Sequence, residues 1–194
     1  MKYGAAELER AFAEQLRAVS DALSHVGAEY MLIGGLAVGV WAEPRATKDA
    51  DLSVRLLARV DVLGDALSNA GLEVARGDLA RAVERGEAVR LRRGAPSEGP
   101  IVVDLLFATT PFEIEALSRR RPLRVLGVEL PVATPEDLLI FKLIAGRPQD
   151  LADAHQLHEI HGATFDLQRV RRWCRDFGAE DRVEALLRSG MPDP

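Results

Sequence analysis

Cysteine is nearly missing from this chain of 194 residues: Cys174 stands alone. No disulfide can close within the chain, and a cysteine-based zinc site is excluded. Lysine is almost as scarce. Of 25 basic residues only Lys2, Lys48 and Lys142 are lysines, so Lys48 and Lys142 stand out against a background of arginine. Long apolar runs are absent too. The longest, Tyr30 to Ala42, has 13 residues and contains three glycines, whereas a membrane-spanning helix needs ~20 apolar residues. The opening stretch MKYGAAELER has no apolar core of a secretory signal. These absences predict a cytoplasmic protein with no membrane partner.

What is present describes an ordinary globular chain. It is 47% hydrophobic, with 25 basic and 30 acidic residues and a net charge of -5. That balance argues against a surface that grips nucleic acid all over, but leaves room for local patches. The apolar residues Leu8, Phe12, Leu16, Val19, Leu23 and Val26 step by three or four, which predicts an amphipathic helix over about 5–26. Tyr30 to Ile33 reads as a short strand, Leu36 to Trp41 as a short helix closed by Pro44, and Ala50 to Val54 as a second strand. A helix at 60–70 ends at Gly71, and Ala88 to Arg92 reads as a strand. Ile101 to Phe107, rich in β-branched residues, is the strongest strand signal. Leu123 to Val132 predicts a hairpin turning at Gly127. Thr110-Pro111 opens a helix with a proline near its first turn, and Thr134-Pro135-Glu136-Asp137 predicts a helix start with a capping threonine. Two or three further helices complete the chain. The expected fold is α/β (α+β): a small mixed β-sheet core flanked by helices over 1–133, with a helical C-terminal part over 134–194 packed on it.

The chemistry concentrates between Gly34 and Leu52. Asp49 and Asp51 are two apart at the start of a strand, so both carboxylates share one face, while Ala50 points to the packed face. Adjacent carboxylates repel unless a cation lies between them. Hard divalent ions take oxygen donors of this kind together with substrate phosphates. Asp104 is a lone acid inside an apolar strand, and such an acid needs a partner if buried. If its strand adjoins that of Asp49 and Asp51, a third carboxylate joins the site. Gly34-Gly35 ends a strand and opens a helix, where bare backbone lets N–H groups approach a phosphate.

Gly34-Gly35, a short helix, then Arg45-x-Thr47-x-Asp49-x-Asp51 and the distal Asp104 resemble the polymerase-β-type nucleotidyltransferases. Thr134 to Leu143, followed by Arg147, Asp150 and Asp153, is similar to the AbiEii-like group of toxin-associated members. The resemblance implies a metal-dependent nucleotidyltransferase that moves a nucleoside monophosphate from a nucleoside triphosphate to an acceptor hydroxyl, releasing pyrophosphate. It implies Asp49, Asp51 and Asp104 as catalytic residues and ligands of Mg²⁺ or Mn²⁺, with Asp104 the third ligand or the general base. It implies that Gly34, Gly35, Arg45, Thr47 and Lys142 serve the nucleotide, with Lys142 reaching the triphosphate and Arg45 and Thr47 shaping the loop. It further implies RNA, such as the 3′ end of a tRNA, as acceptor and an antitoxin as protein partner. Two positions depart from the group: Gly35 where many members carry serine, and Gln149 where a lysine is common.

Two other readings stand beside this one. An antibiotic-modifying nucleotidyltransferase of the aminoglycoside or lincosamide type would use a small hydroxylated acceptor in a deep acidic pocket, whereas an RNA end would need a basic groove. A non-catalytic binding protein on the same fold would not require all three acids. Read alone, Lys142 on its apolar helix would snorkel to solvent. Asp150 and Asp153 share a helix face and either orient Lys142 or Arg147 or favour the helix start. His155, His158 and His161 spread over too wide an arc to bind one ion. The arginine clusters, including Arg90 to Arg93 and Arg169 to Arg175, read as solvated faces, with contact to the phosphates of an RNA acceptor as the functional alternative. Cys174 reads as packing.

Overall fold

The computed structural model describes residues 5–44, 47, 49–74, 76–93 and 102–189. Arg45 and Lys48, both singled out above, lie outside the described residues. The chain runs α1 (Ala5–His25), β1 (Glu29–Ile33), α2 (Gly34–Trp41), β2 (Asp49–Arg55), α3 (Val60–Asn69), β3 (Leu72–Glu73), α4 (Arg76–Arg85), β4 (Ala88–Arg93) and β5 (Val102–Phe107). It continues through α5 (Pro111–Arg119), β6 (Arg121–Val125), β7 (Val128–Val132), α6 (Pro135–Ala145), α7 (Pro148–His161), α8 (Leu167–Asp176) and α9 (Glu180–Ser189). The α/β class expected from sequence is therefore the class observed. β3 and α4 have no counterpart among the elements expected from sequence.

The strands form one mixed sheet in the order β3-β4-β5-β2-β1-β7-β6. β2 and β5 pair in parallel with Asp51 directly opposite Asp104. β4 is antiparallel to β5 with Arg90 opposite Asp104, and β1 is antiparallel to β2 with Ile33 opposite Asp51. These registers fix the two faces. Ala50, Leu52, Val54, Val103, Leu105, Phe107, Val89 and Leu91 fall on one face and are all buried. The alternate residues Asp49, Asp51, Asp104 and Arg90 therefore share the other face.

Local chemistry explains the main elements. α2 is apolar on every side, with Ala37 and Val38 buried, as expected of a helix enclosed by the fold. The β6–β7 hairpin turns on Leu126 and Gly127, both at positive φ, the backbone that a two-residue turn of this hand requires. α5 begins with a full capping box, Thr110 and Glu113 bonding reciprocally to each other's backbone N–H. α6 packs against α2, α7 and α8. Its Glu136 and Asp137, read from sequence as first-turn acids, are buried. Among the described residues no helix is long and apolar enough to cross a membrane.

Candidate active site

The site begins at the turn from β1 into α2. Gly34 has φ +70°, a conformation that L side chains rarely adopt, and a Cβ placed there would lie 2.0 Å from the Asp51 Oδ2. Glycine is thus required twice over, by the backbone and by the carboxylate lying against it. No side chain caps this end of α2. Its first-turn N–H groups, which no helix satisfies internally, open beside Asp51.

Asp49 is exposed and Asp51 half-buried at the start of β2. Thr47 donates its hydroxyl to the Asp49 backbone carbonyl at 2.9 Å and to the Asp49 carboxylate at 3.0 Å. Thr47 therefore shapes the loop end that presents Asp49. Asp51 is the electrostatically stressed member. Burial first, then the charges of Asp49 and Asp104, push its carboxyl up to about 6, while Lys142 and Arg147 pull in the opposite direction.

Asp104 meets a partner from an arginine cluster expected to be solvated. Arg90 grips it with two parallel hydrogen bonds, Nε to Oδ1 at 2.9 Å and Nη2 to Oδ2 at 2.8 Å. The signal was present in the alternation. Arg90 interrupts Val89 and Leu91 as Asp104 interrupts Val103 and Leu105. Only the β4–β5 register shows that the two interruptions coincide. The structure thus brings Asp49, Asp51 and Asp104 onto one face and within electrostatic reach. It does not draw them together as a three-carboxylate cluster, and among the described residues no group of three or more acids, histidines and cysteines is placed to hold one metal ion. Arg90 occupies both oxygens of the third acid.

The donor chemistry still fits a hard divalent cation. Asp49 and Asp51 supply adjacent carboxylate oxygens, and the raised Asp51 carboxyl is the group that a cation would relieve. Lys142 and the acids of α7 complete the surroundings. The Lys142 ammonium is buried between Asp150 Oδ1 at 3.0 Å and Asp153 Oδ2 at 2.8 Å. It does not snorkel. Arg147 also reaches Asp150, through Nε and Nη2. Burial works to raise the Asp150 carboxyl, but the hydrogen bonds from Arg147 and Lys142 outweigh it and hold it below its ordinary value. Of the two roles considered for Asp150 and Asp153, orienting Lys142 is the one the geometry displays.

One arginine reverses its expected place. Arg169, read from sequence as outward-facing, is buried. It donates to Glu115 at 2.6 Å, Glu136 at 2.8 Å and Asp137 at 2.6 Å. Arg119 reaches the last two acids as well. The pattern fails there because the buried acids of α6 need a cation from another element, and α8 supplies it. Cys174 is buried, and burial pushes its thiol up to about 12, so it is a packing residue. His161 bonds the Trp41 carbonyl at 2.7 Å through Nε2, a structural contact with the end of α2.

The sequence profile of the family described as nucleotidyl transferase AbiEii toxin, type IV TA system, matches residues 7–193. Among solved structures, the chain is similar to the lincosamide antibiotic adenylyltransferase LnuA with lincomycin bound, at 17% identity and TM-score 0.50, over 76% of this chain and 96% of that one. It is also similar to an antigenic nucleotidyltransferase-like protein from Paracoccidioides brasiliensis, at 16% identity and TM-score 0.47, over 93% and 94% of the two chains. At such identity the likeness to LnuA shows the fold alone. No curated protein matches the sequence. The family match spans nearly the whole chain, so the chain belongs to the AbiEii nucleotidyl transferase toxin family and is a nucleotidyltransferase.

Proposed function

We propose that this AbiEii-family chain transfers a nucleoside monophosphate from a nucleoside triphosphate to a hydroxyl of an RNA acceptor, with release of pyrophosphate. The observation that carries the reading is the contact between Gly34 and Asp51. It sets the uncapped start of α2, a place for phosphate oxygens, directly against a carboxylate suited to a cation. Asp49 and Asp51 would hold Mg²⁺ or Mn²⁺, with Asp104 as the candidate general base once Arg90 leaves it. Bound there, a divalent ion supplies charge neutralisation for the triphosphate and for the departing pyrophosphate.

The chain's own groups do the rest. The Gly34 and Gly35 N–H groups bind the β- and γ-phosphates. Thr47 fixes Asp49, and Lys142 and Arg147 supply positive charge on the α6–α7 side, held in place by Asp150 and Asp153. The acceptor oxygen bonds the α-phosphorus as the bond to the bridging oxygen of pyrophosphate breaks. The hydroxyl proton passes to a carboxylate of the site, with Asp104 the candidate. As a member of a toxin family, the chain would act on cellular RNA and take an antitoxin as protein partner.

The test is incubation with each labelled nucleoside triphosphate, Mg²⁺ and total cellular RNA. Label entering RNA with release of pyrophosphate is the expected result. Label entering a lincosamide or aminoglycoside instead would replace the acceptor. A chain that shows neither transfer nor Mg²⁺-dependent nucleotide binding would overturn the reading.

A further inference from the structure

Arg90 and Arg92 are two apart on β4 and therefore project from the same face of the sheet as Asp104. Arg90 is engaged with Asp104, and the charges of Asp49 and Asp51 act on it as well. Arg92 is exposed and makes no hydrogen bond or ion pair among the described residues. Both line a groove of about 660 Å³ together with Ser68 at the end of α3, Gly71 after it and the edge strand β3. Among the described residues Glu73 is the carboxylate of that lining, and it sits directly across from Arg92 in the β3–β4 pairing. The groove starts where the site's third acid ends and runs out over the sheet edge, because β3 is the last strand on that side. An open channel that carries two guanidinium groups suits an extended anion better than a small molecule enclosed on all sides.

The Arg90 fork already shows the two-point geometry that a guanidinium uses for carboxylate or phosphate alike. We propose that this groove admits the phosphodiester backbone of a single-stranded polynucleotide acceptor, with Arg90 passing from the Asp104 carboxylate to an acceptor phosphate as the strand docks. The proposal rests on the nucleotidyl transfer reading above. While no strand is bound, Arg90 neutralises and occupies Asp104. Once a phosphate takes the guanidinium, the Asp104 oxygens are released toward the acceptor hydroxyl. Arg92, which has no hydrogen bond or ion pair among the described residues, meets the next phosphate outward.

The test measures binding of a short fluorescein-labelled single-stranded RNA of mixed sequence, by anisotropy across a salt series. The parent is compared with Arg92→Glu and with Arg121→Glu. Arg121 is exposed on β6, at the opposite edge of the sheet, and its replacement makes the same change in net charge. Arg92→Glu is expected to weaken RNA binding about tenfold at moderate salt and to lower the salt slope by about one, whereas Arg121→Glu changes affinity less than about twofold. A thermal shift by Mg²⁺ plus nucleotide, recorded on the same samples, keeps the two readings separate. Equal effects of the two variants, or none from Arg92→Glu, overturn the groove. A parent that responds to Mg²⁺ and nucleotide but binds lincomycin and no RNA also overturns it and leaves nucleotidyl transfer standing. A parent without that nucleotide response overturns the transfer reading first and the groove with it.

Discussion

Gly34 and Asp51 are in such close contact that a single methyl group on Gly34 would overlap the carboxylate, with a Cβ–Oδ2 separation of 2.0 Å. The strand-to-helix turn and the carboxylate are therefore one unit, and neither can change alone. Gly34→Ala meets two penalties: a left-handed backbone, worth ~1–2 kcal/mol, and displacement of Asp51. We expect loss of the Mg²⁺-plus-nucleotide thermal shift together with destabilisation in urea. The double variant Gly34→Ala, Asp51→Ala should recover part of that destabilisation, because only the backbone penalty remains. Strict additivity of the two single changes would refute the coupling.

Asp51→Asn should abolish transfer and leave the fold intact, and its stability should carry a pH signature. The Asp51 carboxyl titrates at about 6 in the folded chain against 3.8 in the unfolded one. The folded state therefore holds the proton more tightly, and ionised Asp51 destabilises the metal-free chain at neutral pH. That penalty is full above about 6 and fades as pH falls through 6 toward 3.8. Asparagine never carries it. The melting temperature of Asp51→Asn should exceed the parent's near neutral pH without metal, and the difference should shrink steadily on acidification. A difference constant with pH would remove the like-charge and burial account of Asp51.

Arg169 and Arg171 stand two residues apart on α8 and should differ sharply. Arg169 is buried against Glu115, Glu136 and Asp137, whereas Arg171 pairs with Glu184 near the surface. Arg169→Met leaves the buried Glu136 and Asp137 with the more exposed Arg119 in place of two cations and should cost about 3 kcal/mol in urea unfolding. Arg171→Met should cost less than about 1 kcal/mol. Similar losses at the two positions would contradict the placement of Arg169.

Lys142→Ala should disturb folding as well as phosphate binding, because Asp150 and Asp153 lose the ammonium that lies between them. The loss expected from breaking a buried pair is about 3–5 kcal/mol. Adding Asp150→Asn and Asp153→Asn should restore part of it, and the triple variant is then the proper background for nucleotide binding. A triple variant that recovers stability and binds Mg²⁺ and nucleotide like the parent would remove Lys142 from the nucleotide site.

Cys174 should resist alkylation in the native chain and react only on unfolding, since its thiol is buried and pushed up to about 12. Stoichiometric labelling by iodoacetamide under native conditions would contradict the packing role.

Features that depend on near neighbours in the chain are legible in the sequence. The three-and-four spacing from Leu8 to Val26 sufficed for α1, because a helix face repeats within a few residues. Thr110-Pro111 and Thr134-Pro135 fixed two helix starts, because capping is a contact over three residues. Strand parity put Asp49 and Asp51 on one face, and Gly34-Gly35 marked the turn. β3 and α4 escaped because a two-residue strand has no alternation to read and α4 is largely polar. The remaining features follow from which strands adjoin and which helices cover them. The parallel β2–β5 pairing set Asp104 beside Asp51, and the β4–β5 register gave Asp104 to Arg90. The packing of α8 on α6 drew Arg169 inward, and α7 closed over Lys142 with two acids. Each of these pairs is electrostatic and joins residues of different elements. A charge in sequence does not tell whether its counter-charge will be water or a carboxylate on a neighbouring element, and burial, which makes that difference large, exists only once the sheet and its helices have assembled.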